Sequence, residues 1–547
     1  MKSADCLVLT TLLAAAPAAA ENAVGRYGRF EAAFEASGSY SNPYREAQAH
    51  AAVLRPDGRS WSIPLFWDGG RTWKLRVSPD TLGRWTFTLK SADAGLNGRS
   101  GAFSCVESNN AGGLQPLAAR PGHFARRNGR PVWFLGDTAW GYFTDSPEDN
   151  HHRPQAEYYA KTRAAQGFNA IHCMLMSEQG VGNNGGLPFE DIGAEKINPG
   201  YWREVDERLE FANRQGLTVG LALAWGDKRK VEPFAWRRFP DTEARKRYAR
   251  YIAARYSAYD VYFLVSGEWH GEIRARGNVT EDQVFWEFVE IGNALEAADP
   301  HGRMIGIHPM SRHGSVREFS AAGWMSFGDY QQNYRDLHAR ILLSRHLPGP
   351  VVNGEYGYHL RDADGDGKPD KDNSYSAEDM RFASWDIVMA GGYLVTGFGT
   401  TYFAGHRDPG PFDVDAEKND GWEAQIGFLK KFFERLEYWR LIPADPLVTS
   451  KAARGGDRGG RGPQSNVHPP RTAYWAMADP GRTYVLYVRG TTAPVELDPG
   501  ARQRSYRARQ YNPRTGGFQA LAEAAAPPAY RYQAPDEQDW VVLLEAR

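Results

Sequence analysis

The chain has 547 residues, 42% apolar and 24% charged, which excludes wholesale disorder and suggests about three or four domains at roughly 150 residues each. Lys and Arg total 65 against 66 for Asp and Glu, a formal net charge of -1, so neither a nucleic-acid partner nor an anionic membrane surface is indicated. Three Cys exclude a disulfide-stapled scaffold, while 17 Trp leave aromatic rings to stack on ligands as well as to fill cores.

The chain opens with Lys2, an apolar run over residues 7–16, Pro17, and then Ala18, Ala19 and Ala20 before Glu21. A charged start, a short apolar stretch and an A-x-A site are the layout of a secretory signal peptide, expected to be cleaved after Ala20. The run is shorter than the roughly 20 residues a membrane span needs, and no later run is long enough. The expected protein is therefore exported, periplasmic or extracellular, with no membrane span. Cys105 and Cys173 fall in different predicted domains and read as free core thiols.

Residues 21–112 carry short alternating runs (AHAAVL, SIPLFW, TWKLRV, RWTFTL) broken by turns such as Pro56-Asp57-Gly58 and Asp68-Gly69-Gly70. That spacing predicts a β-sandwich, and no compact acid, His or Cys cluster gives it chemistry. Residues 113–441 alternate strands with helices of period near 3.6, from VWFLGDTAW and AEYYAKTRAAQG through to YLVTGFGTTYF and GWEAQIGFLKKFFERLEYW. Thr280 is placed to cap the helix VFWEFVEIGNALEAA. Eight such units predict a (β/α)₈ TIM barrel, and no G-x-G-x-x-G follows the first strand to support a dinucleotide fold. Residues 442–547 begin with the Gly/Arg/Pro-rich GGDRGGRGPQSNVHPP and continue as TAYWAMA, TYVLYVRG and DWVVLLEA, a small all-β domain.

Barrel sites are built at the C-terminal ends of the strands. There the sequence offers Asp137 and Trp140 on strand one, His172 on two, Trp225 on three, and Glu268, Trp269 and His270 on four. Strand five offers His308, strand six Asp329, Tyr330, Gln331 and Gln332, and strand seven Glu355 and Tyr356. Glu268 and Glu355 each follow a Gly where an apolar strand stops. Strands four and seven face each other across the mouth, so the two carboxyls can flank a glycosidic bond. Retaining hydrolysis asks for that pair at about 5–5.5 Å, one protonated and one ionised. Asp137, Trp140, His172, Trp225, Trp269, His270, His308, Tyr330, Gln332 and Tyr356 are the expected substrate contacts: rings for sugar faces, polar groups for hydroxyls. The histidines lack the spacing of a zinc site, and no G-x-S-x-G elbow or Cys–His pair is present.

After strand seven comes DADGDGKPDKDN. With Asp362 as position one, Asp364, Asp366, the Lys368 carbonyl, Asp370 and Asn373 fall at ligand positions of a calcium loop, and Gly367 where the sharp turn is needed. Position twelve is Asn rather than the bidentate Glu of an EF-hand, so the expected calcium is structural. No organic cofactor is expected.

PVWFLGDTAW resembles the opening strand of apiosidase-like glycoside hydrolases, SGEWH the family's strand-four acid and NGEYGYH its strand-seven Glu. YSNPY, LRPDGRSWSIPLFWDGG and GRSGAFSC resemble the sandwich that precedes such barrels. YNPRTGG and QDWVVLLEA resemble the collagen-binding-type β-domain that follows them. The resemblance implies a secreted retaining glycosidase acting on a plant or algal polysaccharide, with Glu268 as general acid/base and Glu355 as nucleophile. Strand four carries Ser-Gly-Glu where the wider clan carries Asn-Glu. The rival expectations are a catalytically inactive carbohydrate-binding protein on a decayed barrel, and a protease or collagen binder, for which the barrel offers no nucleophile or metal.

Overall fold

The computed structural model describes residues 22–145, 151–177, 180–191, 193–226, 234–310, 318–331, 336–345, 349–357, 375–397, 421–456, 468–500, 505–521 and 529–547. Its centre is the expected barrel. The strands are β1 (Leu135–Thr138), β2 (Ala170–Met174), β3 (Thr218–Ala222), β4 (Val261–Leu264), β5 (Ile305–Gly306), β6 (Gly328–Gln331), β7 (Val351–Tyr356) and β8 (Tyr393–Thr396). They form one eight-stranded sheet in the order β5-β4-β3-β2-β1-β8-β7-β6, and every ladder is parallel. The two edges meet through a bridge between Ile305 and Met325, where the Ser326 N–H donates to the Ile305 carbonyl at 2.9 Å. That contact closes the barrel.

Around it lie α1 (Arg153–Ala165), α2 (Pro199–Arg214), α3 (Thr242–Tyr256), α4 (Glu281–Ala297), α5 (Leu337–Ser344), α6 (Ala377–Met389) and α7 (Trp422–Glu434). Their starts are set by side chains that satisfy otherwise orphaned N–H groups. Asn198 and Asp241 cap α2 and α3, while Thr280 with Gln283 and Ser376 with Asp379 form capping boxes on α4 and α6. The apolar run PVWFLGDT is split, unlike the expected single strand. Pro131–Val132 pairs with Arg120–Arg126, which pairs in turn with Leu114–Leu117, and only Leu135 onward enters the barrel. Phe124 of this small sheet stacks on Phe134 at 4.6 Å and meets Tyr393 edge-on, sealing the N-terminal end of the barrel.

The chain before residue 107 forms a five-stranded and a three-stranded sheet packed over Val53, Leu75, Trp85, Phe87 and Phe103. It is fastened to the barrel through buried charge. Arg76 of the three-stranded sheet pairs with Asp206 of α2 at 2.7 Å and donates to the Arg255 carbonyl, while Arg255 of α3 itself pairs with Asp206. Burial pushes the Asp206 carboxyl up, but Arg255 and Arg76 hold it down at about 2.

The C-terminal chain forms a six-stranded and a three-stranded sheet. Its central strands read as unbroken apolar runs because both faces are covered. Val485, Tyr487, Val541 and Leu543 belong to the barrel's core, whereas Tyr484, Leu486, Val488, Val542 and Leu544 form a second core beneath the three-stranded sheet. Tyr487 stacks on Trp385 of α6 at 5.3 Å. Arg489 makes a bidentate pair with Asp386 of α6 at 2.7 and 2.8 Å, both side chains sealed from solvent. Cutting one member of such a pair leaves a buried charge alone, a loss of about 3–5 kcal/mol, so this module is part of the barrel's own packing. Cys105 and Cys173 are buried and unpaired.

Candidate active site

Glu268 and Glu355 stand at the C-terminal mouth. Glu355 is in β7, 6% exposed; Glu268 follows β4, 8% exposed. Local backbone aims both. Glu268 holds φ of 41°, a left-handed conformation costly for a side chain with a Cβ and sustained by surrounding structure. Gly267 before it is required by space, since a Cβ there would lie 2.0 Å from the Trp225 ring. In β7 the pairing with β6 shifts by one residue, so that Tyr330 faces Asn353 but Gln331 faces Glu355. The extra residue is Gly354, whose Cβ would meet Asp329 Oδ1 at 2.0 Å. A bulge of this kind re-aims the next side chain, here Glu355.

Different partners hold the two carboxyls. Glu355 Oε2 lies 3.1 Å from His308 Nε2, and His308 Nδ1 lies 2.9 Å from Asp329 Oδ2. Burial alone would lower the His308 pKa, but Asp329 and Glu355 outweigh it and raise it to about 10. His308 is thus an imidazolium at neutral pH, donating from both nitrogens. Glu268 Oε1 accepts from Gln331 Nε2 at 3.0 Å and Oε2 from the Trp225 indole at 3.4 Å. Gln331 Oε1 is buried with no hydrogen-bond partner among the described residues. Trp140 packs edge-on to Trp225 at 4.9 Å and over His308 at 5.2 Å, so the two indoles and the imidazolium form one wall.

The His308 shift makes a pH prediction. Its folded pKa lies above the unfolded value of about 6.5, so its contribution to stability is fully present below pH 6.5 and is lost as pH rises through about 10. Melting temperature measured from pH 7 to 10.5 should fall less steeply for His308→Gln than for the parent protein. Parallel curves would contradict the charge assignment.

Several expected substrate contacts lie elsewhere. Asp137 faces the helical layer, where its oxygens accept from Arg163 (2.6 Å), Tyr159 (3.0 Å) and Thr396 (2.7 Å); it is a structural ion pair. Tyr330 bonds Ser344 of α5 and Tyr356 bonds Ser384 of α6 at 3.0 Å, so both point outward, opposite to their neighbours Asp329 and Gln331, and Glu355. Trp269 is buried against His270, Phe288 and Phe319, behind the mouth rather than in it. His172 sits among Trp140, Tyr262 and His308 as a fully buried support, kept neutral by burial and by the His308 charge. His270 rests on Trp269 at 3.9 Å and receives the Met310 N–H at 3.5 Å. His172, His308 and Asp329 are close enough to share an ion. A metal there would have to break the His308–Asp329 bond.

Gln332 and the calcium ligands Asp362, Asp364, Asp366, Lys368, Asp370 and Asn373 lie outside the described residues, as does the N-terminal segment to residue 21. Asp329 and Gln331, which the sequence placed at the strand-six tip without a role, hold His308 and Glu268.

A parallel eight-stranded barrel with two buried carboxyls at its mouth is an architecture used by glycosidases. The apiosidase-like catalytic-domain family matches residues 120–440, and the chain belongs to that family. A domain family of unknown function, DUF5060, matches residues 23–92. In fold the chain is similar to a candidate glycoside hydrolase from Bacteroides vulgatus ATCC 8482, with a TM-score of 0.75 and 16% identity over 96% of this chain and 100% of that one. A family 5 glycoside hydrolase from the same organism gives a TM-score of 0.60 and 18% identity over 80% and 93%. No curated protein matches the sequence.

Proposed function

We propose that the protein is an exported retaining glycoside hydrolase acting on a plant or algal polysaccharide through Glu355 and Glu268. The observation that carries the reading is the asymmetry of the two carboxyls. Glu355 faces an imidazolium that stabilises its anion, as a nucleophile needs. Glu268 accepts from two neutral donors, the Trp225 indole and the Gln331 amide, contacts that suit a group that must take and give a proton. In the first step Glu355 bonds to the anomeric carbon while the bond to the leaving oxygen breaks and that oxygen takes the Glu268 proton. In the second, Glu268 takes a proton from water, whose oxygen displaces Glu355 and returns it as carboxylate. Purified enzyme and Glu355→Gln should be compared on a polysaccharide panel with product analysis. Reducing sugar released by the parent alone supports the reading, and none released from any glycan would defeat it.

Gln331 suits both states of Glu268. Its amide can donate to the carboxylate or, turned by 180°, offer the otherwise unpartnered Oε1 to the protonated acid; the two orientations differ only in O/N assignment. Gln331→Glu would set a like charge beside Glu268 and raise its pKa. Activity that needs protonated Glu268 is lost as pH rises through that pKa, so the alkaline limb of kcat/KM should move up by about one pH unit. An unmoved limb would remove Gln331 from this role.

From the sequence alone we further propose a structural calcium ion for residues 362–373, with affinity of about 10⁻⁴–10⁻³ M. Excess chelator should lower the melting temperature, and calcium but not sodium should restore it. An unchanged melting curve with no metal by elemental analysis would end the proposal.

A further inference from the structure

Away from the barrel mouth, a cleft of about 580 Å³ opens between the N-terminal sandwich and the outer face of the barrel. That size, and a position between two modules, are those of small-molecule sites. One wall comes from the sandwich and carries Tyr44, Trp67 and Trp73; the other comes from α3 and carries Arg247 and Arg250, with Ala294 of α4 leaving the floor open. Arg247 and Arg250 are three residues apart and so share one helix face. Arg247 lies over the Tyr44 ring at 5.7 Å and reaches Glu195 only at 3.8 Å. Arg250 is exposed and makes no ion pair among the described residues. Tyr44 lies beside Arg247 in the wall, and Trp73 Nε1 is buried there with no hydrogen-bond partner among the described residues. Indole and guanidinium groups are donors only, so the lining asks for an acceptor-rich, negatively charged occupant with an apolar face.

We propose that this cleft is a second saccharide site that takes an acidic sugar. The guanidinium groups of Arg247 and Arg250 hold the sugar carboxylate in charge-assisted hydrogen bonds, and the half-buried Trp67 ring covers a face of the pyranose. The choice of a sugar acid rests on the glycosidase reading; the site itself does not use Glu268 or Glu355. Its function is to hold a charged stretch of polysaccharide against the enzyme while the barrel works on another part of the chain.

The test is equilibrium binding by calorimetry on the full-length protein, with D-galacturonate and D-glucuronate as probes and D-galactose and acetate as controls. Because no turnover is read, loss of this site leaves the catalytic reading standing, and the reverse also holds. A uronate should bind the parent and Glu355→Gln equally and weaken about tenfold or more in Arg247→Ala/Arg250→Ala. Trp67→Ala, which leaves the charge in place, should weaken it as well. Both variants should keep the parent's circular dichroism and its turnover of short glycosides. Binding lost in Glu355→Gln but intact in the arginine variant would place the sugar in the barrel and overturn the proposal. So would equal binding of galactose or acetate, or no uronate binding to any of the proteins.

Discussion

Glu355→Gln should lower turnover on the order of 10⁴-fold or more while leaving the protein folded. The amide is nearly isosteric, so the bulge at Gly354 and the contact to His308 can survive. An amide cannot supply the anion that bonds to the anomeric carbon. The His308 imidazolium, now without one of its two carboxylate partners, should also lose part of its raised pKa. A folded protein with abolished turnover is the expected result, its melting temperature at neutral pH lowered as far as the His308 charge is weakened. Appreciable residual activity would mean that another group attacks the sugar.

Glu268→Gln should act differently on different substrates. Where the leaving group is a sugar oxygen it needs a proton, and the loss should reach about 10²–10⁴-fold. Where the leaving group is an activated phenolate, the first step proceeds without that proton and the loss should be far smaller. The measurement is kcat/KM on a natural glycan and on a dinitrophenyl glycoside of the same sugar. Equal losses on the two would remove the acid/base role from Glu268 and leave the Trp225 and Gln331 contacts as structural only.

Much of this was legible in the sequence because it rests on local pattern. AHAAVL and TWKLRV are strands over Ala49–Leu54 and Thr72–Val77, and Thr280 caps its helix. Periodicity and capping are written within a few residues and need no tertiary information. The positions of Glu268 and Glu355 were legible too, since each follows a Gly where an apolar run stops. What was not legible depends on parity and distance. On β6 the sequence pointed to Tyr330, whereas the inward face is Asp329 and Gln331; a slip of one residue exchanges the two faces. The inward positions of Asp329 and Gln331 could have been sought as polar residues two apart in an otherwise apolar strand, a pattern that costs too much to bury without partners. Asp137 looked like a mouth residue because it ends a strand, but its partner Arg163 lies 26 residues away on α1. The Arg489–Asp386 pair joins residues 103 apart and leaves no mark in any local window. The same holds for the cleft over α3, whose two walls, at Trp73 and Arg247, lie far apart in the sequence.

Double displacement at Glu355 fixes the anomeric configuration of the first product. Proton NMR on the glycan that the enzyme hydrolyses, followed from the first minutes before mutarotation, reads that configuration. With double displacement, the newly released reducing sugar carries the same anomeric configuration as the bond that was cleaved. A first product of opposite configuration would mean one direct displacement by water, with Glu355 acting as a base and no glycosyl-enzyme formed.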